Sequence, residues 1–351
     1  MNQMTRQYNS LGVNKFRNPD CRPWHVRMIG EQGIDAGGPA RELVTEIALD
    51  LMCPLCGLVT PIPNAVNQIG TLRDYMIPVP NPLQNNRIMD QYKFAGAFIA
   101  ICVRTGLVQQ LNFPPLVWNY LMTGNITIEE IYEIDENYKI LIQSLQEAKQ
   151  TLSNAEFNSR FQLKFVIKNA YGKEMPLNAR GKTTAVTLSN CSEFISLSNE
   201  FRLNELKPYL EKMRAGLWEN FGCSAPKYLN WIDLEFLACG EKEISLTTLR
   251  KVTQFLDIQR QQQEWFWEVV EGFTPEQLSK LLRFSTGRVR LPPQIRDGDH
   301  FLIIDGIGTR DMLPTSSTCF HKLHMPPYSS FEKMKQMISV AIEFTGTFEN
   351  E

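Results

Sequence analysis

The pattern of apolar and polar positions divides the chain into helical stretches interrupted twice by alternating, strand-like runs. His25-Val26-Arg27-Met28-Ile29 alternates and predicts a short strand, followed by a glycine-rich turn over 30–38. Pro39 suits the first position of a helix, Leu43, Ile47 and Leu51 line one face of it, and Pro54 ends the pattern. Residues 60 to 90, rich in proline and asparagine, read as a long connecting loop. Phe94 to Val103 is a nearly unbroken apolar run of about ten residues, the length of a buried helix and far below the roughly 20 that span a bilayer. Helices are predicted at Trp118 to Leu121 and Ile126 to Leu145, the second divided by polar residues.

From Phe161 the period changes. Phe161, Leu163, Phe165 and Ile167 alternate, a turn falls at Tyr171-Gly172, and Val186 and Leu188 follow, which predicts a small strand-bearing insert. Asn190 and Glu193 have the spacing of a capping box for a helix striped by Phe194, Leu197 and Phe201. A boundary is expected at Ala238-Cys239-Gly240-Glu241-Lys242-Glu243, where an apolar helix end meets glycine and a charged triplet. Three marked helix starts follow. Ser245 precedes Leu249, Val252 and Leu256; Thr274-Pro275 with Gln277 precedes Leu278, Leu281 and Leu282; Ser329 with Glu332 precedes Met334, Ile338 and Ile342. Strand-like His300 to Ile304 and Phe320 to Met325 lie between the last two, so the C-terminal stretch of about 110 residues is expected to form a compact α+β unit.

Composition narrows the function classes. The 351 residues are 43% hydrophobic, enough for a substantial core, and 36 Lys and Arg nearly balance 38 Asp and Glu. No basic field gathers phosphates, so nucleic acid is not an expected partner, and no membrane insertion is expected. The polar start, Met1 to Arg17, lacks the apolar core of a secretory signal, which points to the cytoplasm, with the nucleus also open, and to mostly reduced cysteines. Cys53-Pro54-Leu55-Cys56 has the spacing of half a zinc site or a redox pair, but no second pair exists and the four histidines supply one close pair only. Two plain thiols after a helix end are the simpler reading. The glycine-rich turn lacks the Gly-Lys-Ser/Thr ending of a phosphate cradle and carries acidic residues. Cys319, His321 and His324 also suggest a metal cluster, yet alternation along 319–325 places His321 on the face of Cys319 and His324 on the other. Cys319 itself follows the polar run Leu313-Pro314-Thr315-Ser316-Ser317-Thr318, with no helical stripe around it. A loop cysteine of this kind is a candidate nucleophile, weak when taken alone.

Several ordered motifs together resemble the HECT ubiquitin ligases, over roughly residues 24 to 351. Leu313 to Phe320, followed by Leu323 and Met325-Pro326-Pro327-Tyr328, resembles the family's active-site loop. Trp265-Phe266-Trp267 and Leu282-Arg283-Phe284-Ser285-Thr286-Gly287 resemble the start of its C-lobe core; Gly33 to Glu42 resembles its opening turn and helix; Phe236-Leu237-Ala238-Cys239-Gly240 resembles the segment before its hinge. The arrangement is similar to ligases that carry propeller repeats upstream. Ser317 departs from the pattern, standing where many members carry histidine.

The resemblance implies an α+β, bilobal fold: a mainly helical N-lobe over 24–240, with an insert at about 154–192 that binds the ubiquitin-conjugating enzyme, and a compact α+β C-lobe over 241–351. Residues 1–23 form an N-terminal extension outside it. It implies an acyltransferase that takes ubiquitin as a thioester on Cys319 and passes it to a lysine of a protein substrate. Leu313, Pro314, Thr318 and Phe320 would form the active-site loop, Cys239, Gly240 and Glu241 the hinge, and Phe348 would position the acceptor lysine. Phe165, Tyr171 and Met175 are candidate contacts to the conjugating enzyme, or equally the insert's own core. No cofactor and no metal is expected. Lys322 or a protonated His321 would raise the thiolate fraction of Cys319, and Glu349, Glu351 or the terminal carboxylate would help to deprotonate the amine. The rival readings are a cysteine hydrolase such as a deubiquitinase, which needs a histidine base on a separate segment, and a catalytically silent binding scaffold.

Overall fold

The computed structural model describes residues 1–17, 24, 38–80, 85–222, 225–241, 244–287, 290–291 and 301–344; the side chains of Asn2, Gly38, Ala225, Pro226, Cys319 and Phe344 lie outside that description. The expected strand at His25 to Ile29, most of the glycine-rich turn, His300, Glu349, Glu351 and Phe348 fall outside the described residues. The fold class is α+β, dominated by helices, with three small sheets among the described residues. The chain clusters into two compact units, one of residues 1–13, 50–100 and 112–232, the other of 14–49, 101–111 and 233–351.

In the first unit the helix Asn86–Thr105 carries the apolar run, and Phe94, Ala95, Ala97 and Phe98 are fully buried. It crosses the helix Lys207–Phe221 at glycines on both sides. A Cβ on Gly96 would come within 1.7 Å of the Met213 carbonyl oxygen, and one on Gly216 within 1.9 Å of the Lys93 carbonyl oxygen. Here glycine is required by close approach, since both residues lie in helix and neither needs an unusual backbone. The segment expected to be a bare loop contains strands β1 (Val59–Pro61) and β2 (Met76–Pro78), paired antiparallel, and a short helix, Pro63–Asn67. Proline and asparagine supplied the turns of this hairpin, and their density hid the strands between them.

The insert is present as β3 (Val166–Lys168) and β4 (Glu174–Pro176), antiparallel, turning at Gly172 with φ 78°. Phe165 and Phe194 meet edge to face at 5.6 Å inside a separate apolar cluster with Leu145, Phe157 and Val186. Arg202 ties this region together from the inside. Its Nη1 donates to Asp135 Oδ2 at 2.9 Å and to the Lys168 carbonyl at 3.2 Å, while its Nε lies 2.8 Å from Glu205 Oε1. Burial pushes the Glu205 carboxyl above its ordinary pKa, against the pull of Arg202. The expected capping box at Asn190 does not form. Asn190 Oδ1 instead accepts from the Thr187 backbone N–H at 2.7 Å, and its amide donates to the Ala185 carbonyl at 3.0 Å, closing the loop before the helix Cys191–Asn204.

The second unit is built on a four-stranded sheet of β5 (Thr253–Leu256), β6 (Leu302–Asp305), β7 (Thr315–Ser317) and β8 (Lys322–His324), in the order β5-β6-β8-β7. The β5-β6 and β6-β8 pairs are parallel, and β7-β8 is antiparallel. β5 corrects the expected long helical stripe: the helix capped by Ser245 ends at Val252, and Leu256 lies on a strand. The β-branched and aromatic run Val252-Thr253-Gln254-Phe255 favours that switch. Leu302, Ile304 and Leu323 share one sheet face and join the core with the helices Arg260–Glu271, Pro275–Thr286 and Phe331–Phe344. Thr274 and Gln277 form the reciprocal cap expected of them. At the last helix the cap is one residue later than expected: Ser330 Oγ accepts from Lys333 N, and Ser329 donates to Asp311 instead.

The helix crossing gives a direct test. Gly96→Ala and Gly216→Ala each add about 1 kcal/mol of helix propensity, yet a methyl driven into a backbone carbonyl should cost about 1–3 kcal/mol or more. Urea unfolding of each variant should therefore show a net loss of stability, and a gain would mean that the two helices do not approach at these glycines.

Candidate active site

The segment from β6 to β8 is short and clipped at several points. Asp311 Oδ1 accepts from the Ser329 backbone N–H at 2.7 Å and from its hydroxyl at 3.0 Å, and the Asp311 N–H donates to the Pro327 carbonyl at 3.0 Å. The Ser329 backbone bond holds the Asp311 carboxyl below its ordinary pKa. The loop is thus tied to Pro326-Pro327-Tyr328 before it enters β7. β7 and β8 run antiparallel, with Ser317 opposite Lys322, and the 3-10 turn Thr318–Phe320 joins them. Cys319 is the middle residue of that turn, and its side chain lies outside the described atoms.

The turn closes with His321 at φ 55°, a left-handed conformation that a non-glycine residue takes at some cost. The expectation of continuous strand alternation over 319–325 therefore fails, because only Lys322–His324 is strand. The Thr318 carbonyl is the fixed point. It accepts from the His321 backbone N–H at 3.3 Å and from Arg41 Nη2 at 2.5 Å. Arg41 projects from the helix Gly38–Met52, whose Thr45 hydroxyl donates to the Gly287 carbonyl at 3.2 Å and whose Glu46 pairs with Arg283 at 2.9 Å. These contacts tie that helix to the end of Pro275–Thr286 and to the cysteine turn. Around the turn Leu313 and Phe320 are exposed, Phe320 by 64%, and Pro314 is buried.

Beside the turn, the sheet face opposite the core is polar. Ser317 Oγ lies 2.9 Å from His324 Nε2, His324 Nδ1 lies 4.0 Å from Asp305 Oδ2, and Lys322 Nζ lies 3.1 Å from the same carboxylate oxygen. Lys322, expected to stand near the thiol, is thus paired with Asp305. The alternation of His324 with Leu323 was readable in sequence, but the extension of β6 to Asp305 and the β6-β8 pairing that joins the two were not. Among the described residues no group of three or more His, Cys, Asp or Glu side chains is placed to hold a metal ion.

The comparisons can be set against this geometry. The family profile described as HECT-domain (ubiquitin-transferase) matches residues 45–351, which include the cysteine turn and both of its strands. The chain belongs to the HECT-domain family. Three relatives agree. The E3 ubiquitin-protein ligase HERC2 of Homo sapiens is 30% identical over 359 residues, covering 99% of this chain and 7% of the relative. Ptr1 of Schizosaccharomyces pombe, also an E3 ubiquitin-protein ligase, is 25% identical over 331 residues, or 91% of this chain and 10% of the relative. The E3 ubiquitin-protein ligase NEDD4 of Rattus norvegicus is 26% identical over 354 residues, or 97% of this chain and 38% of the relative. This HECT domain therefore spans well under half the length of each of these three relatives.

The other expected positions lie elsewhere in the HECT domain. Cys239 and Gly240 are buried and Glu241 is exposed. Gly240 has φ 70°, its N–H donates to the Phe236 carbonyl at 2.8 Å, and a Cβ there would meet the Leu291 carbonyl oxygen at 2.5 Å. In the insert Phe165 is 1% exposed, Tyr171 is 61% exposed and Met175 is half-buried. Cys53 and Cys56 flank the 3-10 turn Pro54–Cys56, and burial followed by Asp50 raises the Cys56 thiol pKa.

Removing the clamp on the turn has a measurable effect. Arg41→Ala should lower stability by about 1.5–3 kcal/mol, as expected when a hydrogen bond from a charged donor is lost, and should speed limited proteolysis at residues 318–321. Arg41→Lys should recover only part, since a single ammonium does not reproduce the guanidinium fork. Unchanged unfolding and cleavage in Arg41→Ala would remove the clamp.

Proposed function

We propose that this chain is the catalytic domain of a ubiquitin ligase in which Cys319 carries ubiquitin as a thioester. The observation that supports it most is the position of Cys319 at the middle of a clamped turn within the span matched by the HECT-domain profile. In the first step the Cys319 thiolate attacks the thioester carbonyl that joins ubiquitin to a conjugating enzyme's cysteine. A new C–S bond forms, the old one breaks, and the leaving thiolate takes up a proton. The exchange is nearly balanced in energy, so it needs positioning more than a strong base. In the second step a substrate lysine amine attacks the same carbonyl, a C–N bond forms and the Cys319 thiolate leaves. This step is harder, because the amine must lose a proton.

The remaining assignments belong to the same reading. The insert at about 154–192 docks the conjugating enzyme, with exposed Tyr171 and half-buried Met175 as contacts and buried Phe165 holding the strands beneath them. Residues 24–240 and 241–351 act as lobes, and Cys239 to Glu241 serve as the link between them. Phe348 seats the acceptor lysine.

Cys319→Ala should abolish conjugate formation while leaving the unfolding transition in place, and the wild type should show a ubiquitin adduct on non-reducing gels that a thiol reductant removes. Conjugates built by Cys319→Ala would end the proposal, and so would release of free ubiquitin without any conjugating enzyme. A single-turnover chase separates the steps. Phe348→Ala should load nearly as the wild type does but discharge onto lysine more slowly by roughly 10- to 1,000-fold, as expected when a group that positions the amine is lost. Equal loss in both steps would make Phe348 a support of the fold only.

A further inference from the structure

We infer that His324, acting through the Ser317 hydroxyl, draws the proton from the acceptor amine as it attacks the Cys319 thioester, with Asp305 balancing the charge that forms on the ring. The inference rests on the function proposed above and concerns its second step. Ser317 is the last residue of β7, and Cys319 follows two residues later in the adjoining turn. His324 is the last residue of β8, and its Nε2 stands 2.9 Å from Ser317 Oγ across the antiparallel pair. Asp305 is its register partner on the parallel side, with Oδ2 4.0 Å from His324 Nδ1. No hydrogen-bond partner reaches the buried Nδ1. An acidic neighbour on the Nδ1 side favours the tautomer with its proton there, which leaves Nε2 free to accept from the serine. This is a hydroxyl, an imidazole and a carboxylate in series on one sheet face, and the strand that carries the hydroxyl runs into the cysteine turn.

The step balances without a further reactant. The amine nitrogen attacks the thioester carbonyl and the C–N bond forms. As the C–S bond breaks, Cys319 leaves as thiolate, and the proton on nitrogen passes to Ser317 Oγ while the serine proton passes to His324 Nε2. The imidazolium so formed lies toward Asp305. Lys322, 3.1 Å from the same carboxylate oxygen, shares it. The charged groups that the structure places on this sheet face with His324 are Asp305 on β6 and Lys322 on β8.

His324 is a positioning residue on this account, and a purely structural role is the alternative. The two are separated by single-turnover kinetics that follow loading and discharge separately, with Cys319 loaded with labelled ubiquitin and free lysine as acceptor. His324→Gln should load nearly as the wild type does but discharge onto lysine roughly 100-fold more slowly, the size of a general-base effect. Ser317→Ala should give a similar loss in discharge alone, and the double variant should lose no more than either single one, since both lie on one path. No loss in discharge, or a loss in loading equal to that in discharge, would overturn the inference and leave His324 as a sheet contact. Failure of the wild type to form any thioester would instead overturn the function on which it rests.

Discussion

The Thr318 carbonyl is the point on which the candidate site depends. Three residues of 3-10 helix ending on a left-handed histidine hold little stability of their own. The backbone bond from His321 closes the turn locally, while Arg41 reaches it from a helix 277 residues away in sequence. A charged donor on a carbonyl is a stronger tether than a neutral one. Thr45 and Glu46, one turn further along the same helix, fix the helix itself to Gly287 and Arg283. The backbone of the cysteine turn is thus set by a long-range contact laid over a short-range one.

The sheet beneath the turn divides two tasks between its faces. Leu302, Ile304 and Leu323 point into the core and carry the burial that stabilises this unit. The alternate positions, Asp305, Ser317, Lys322 and His324, need no core and are free to hold charge. Because strand side chains alternate with a period of two, any sequence that keeps the apolar face leaves the polar one open to change. Ser317 shows that freedom: a hydroxyl stands where the resembled family often has an imidazole, and across the strand pair the His324 imidazole lies within hydrogen-bond distance of it.

Sequence made much of this legible where the signal was local. Pro39 and the stripe of Ile47 and Leu51 gave the helix Gly38–Met52, Thr274 with Gln277 gave a capped helix, and Tyr171-Gly172 gave the turn of the insert. Where local signals competed, they misled. Asn190 with Glu193 matched a capping box, but the Asn190 side chain was better satisfied by the backbone of its own loop. Ser329 and Ser330 compete for one cap, and Asp311, distant in sequence, takes the first. Leu256 continued a helical stripe, yet pairing of β5 with β6 drew it into a strand. His324 was singled out in the sequence, but Asp305 lay one residue past the expected strand, and only the parallel pairing of β6 with β8 made the two neighbours.

The same division explains why the cysteine loop was easier to read in the sequence than the polar groups of the sheet. A thioester exchange asks one thiol to be exposed and held, so its signature is a short, contiguous loop, and Leu313 to Phe320 carries it within eight residues. Removing a proton from an amine asks for groups converging on one point from different strands. The polar groups of this sheet face, at 305, 317 and 324, come likewise from separate parts of the chain and leave no contiguous motif. The polar face of this sheet can therefore vary one strand at a time, provided that the turn stays clamped and the apolar face stays filled.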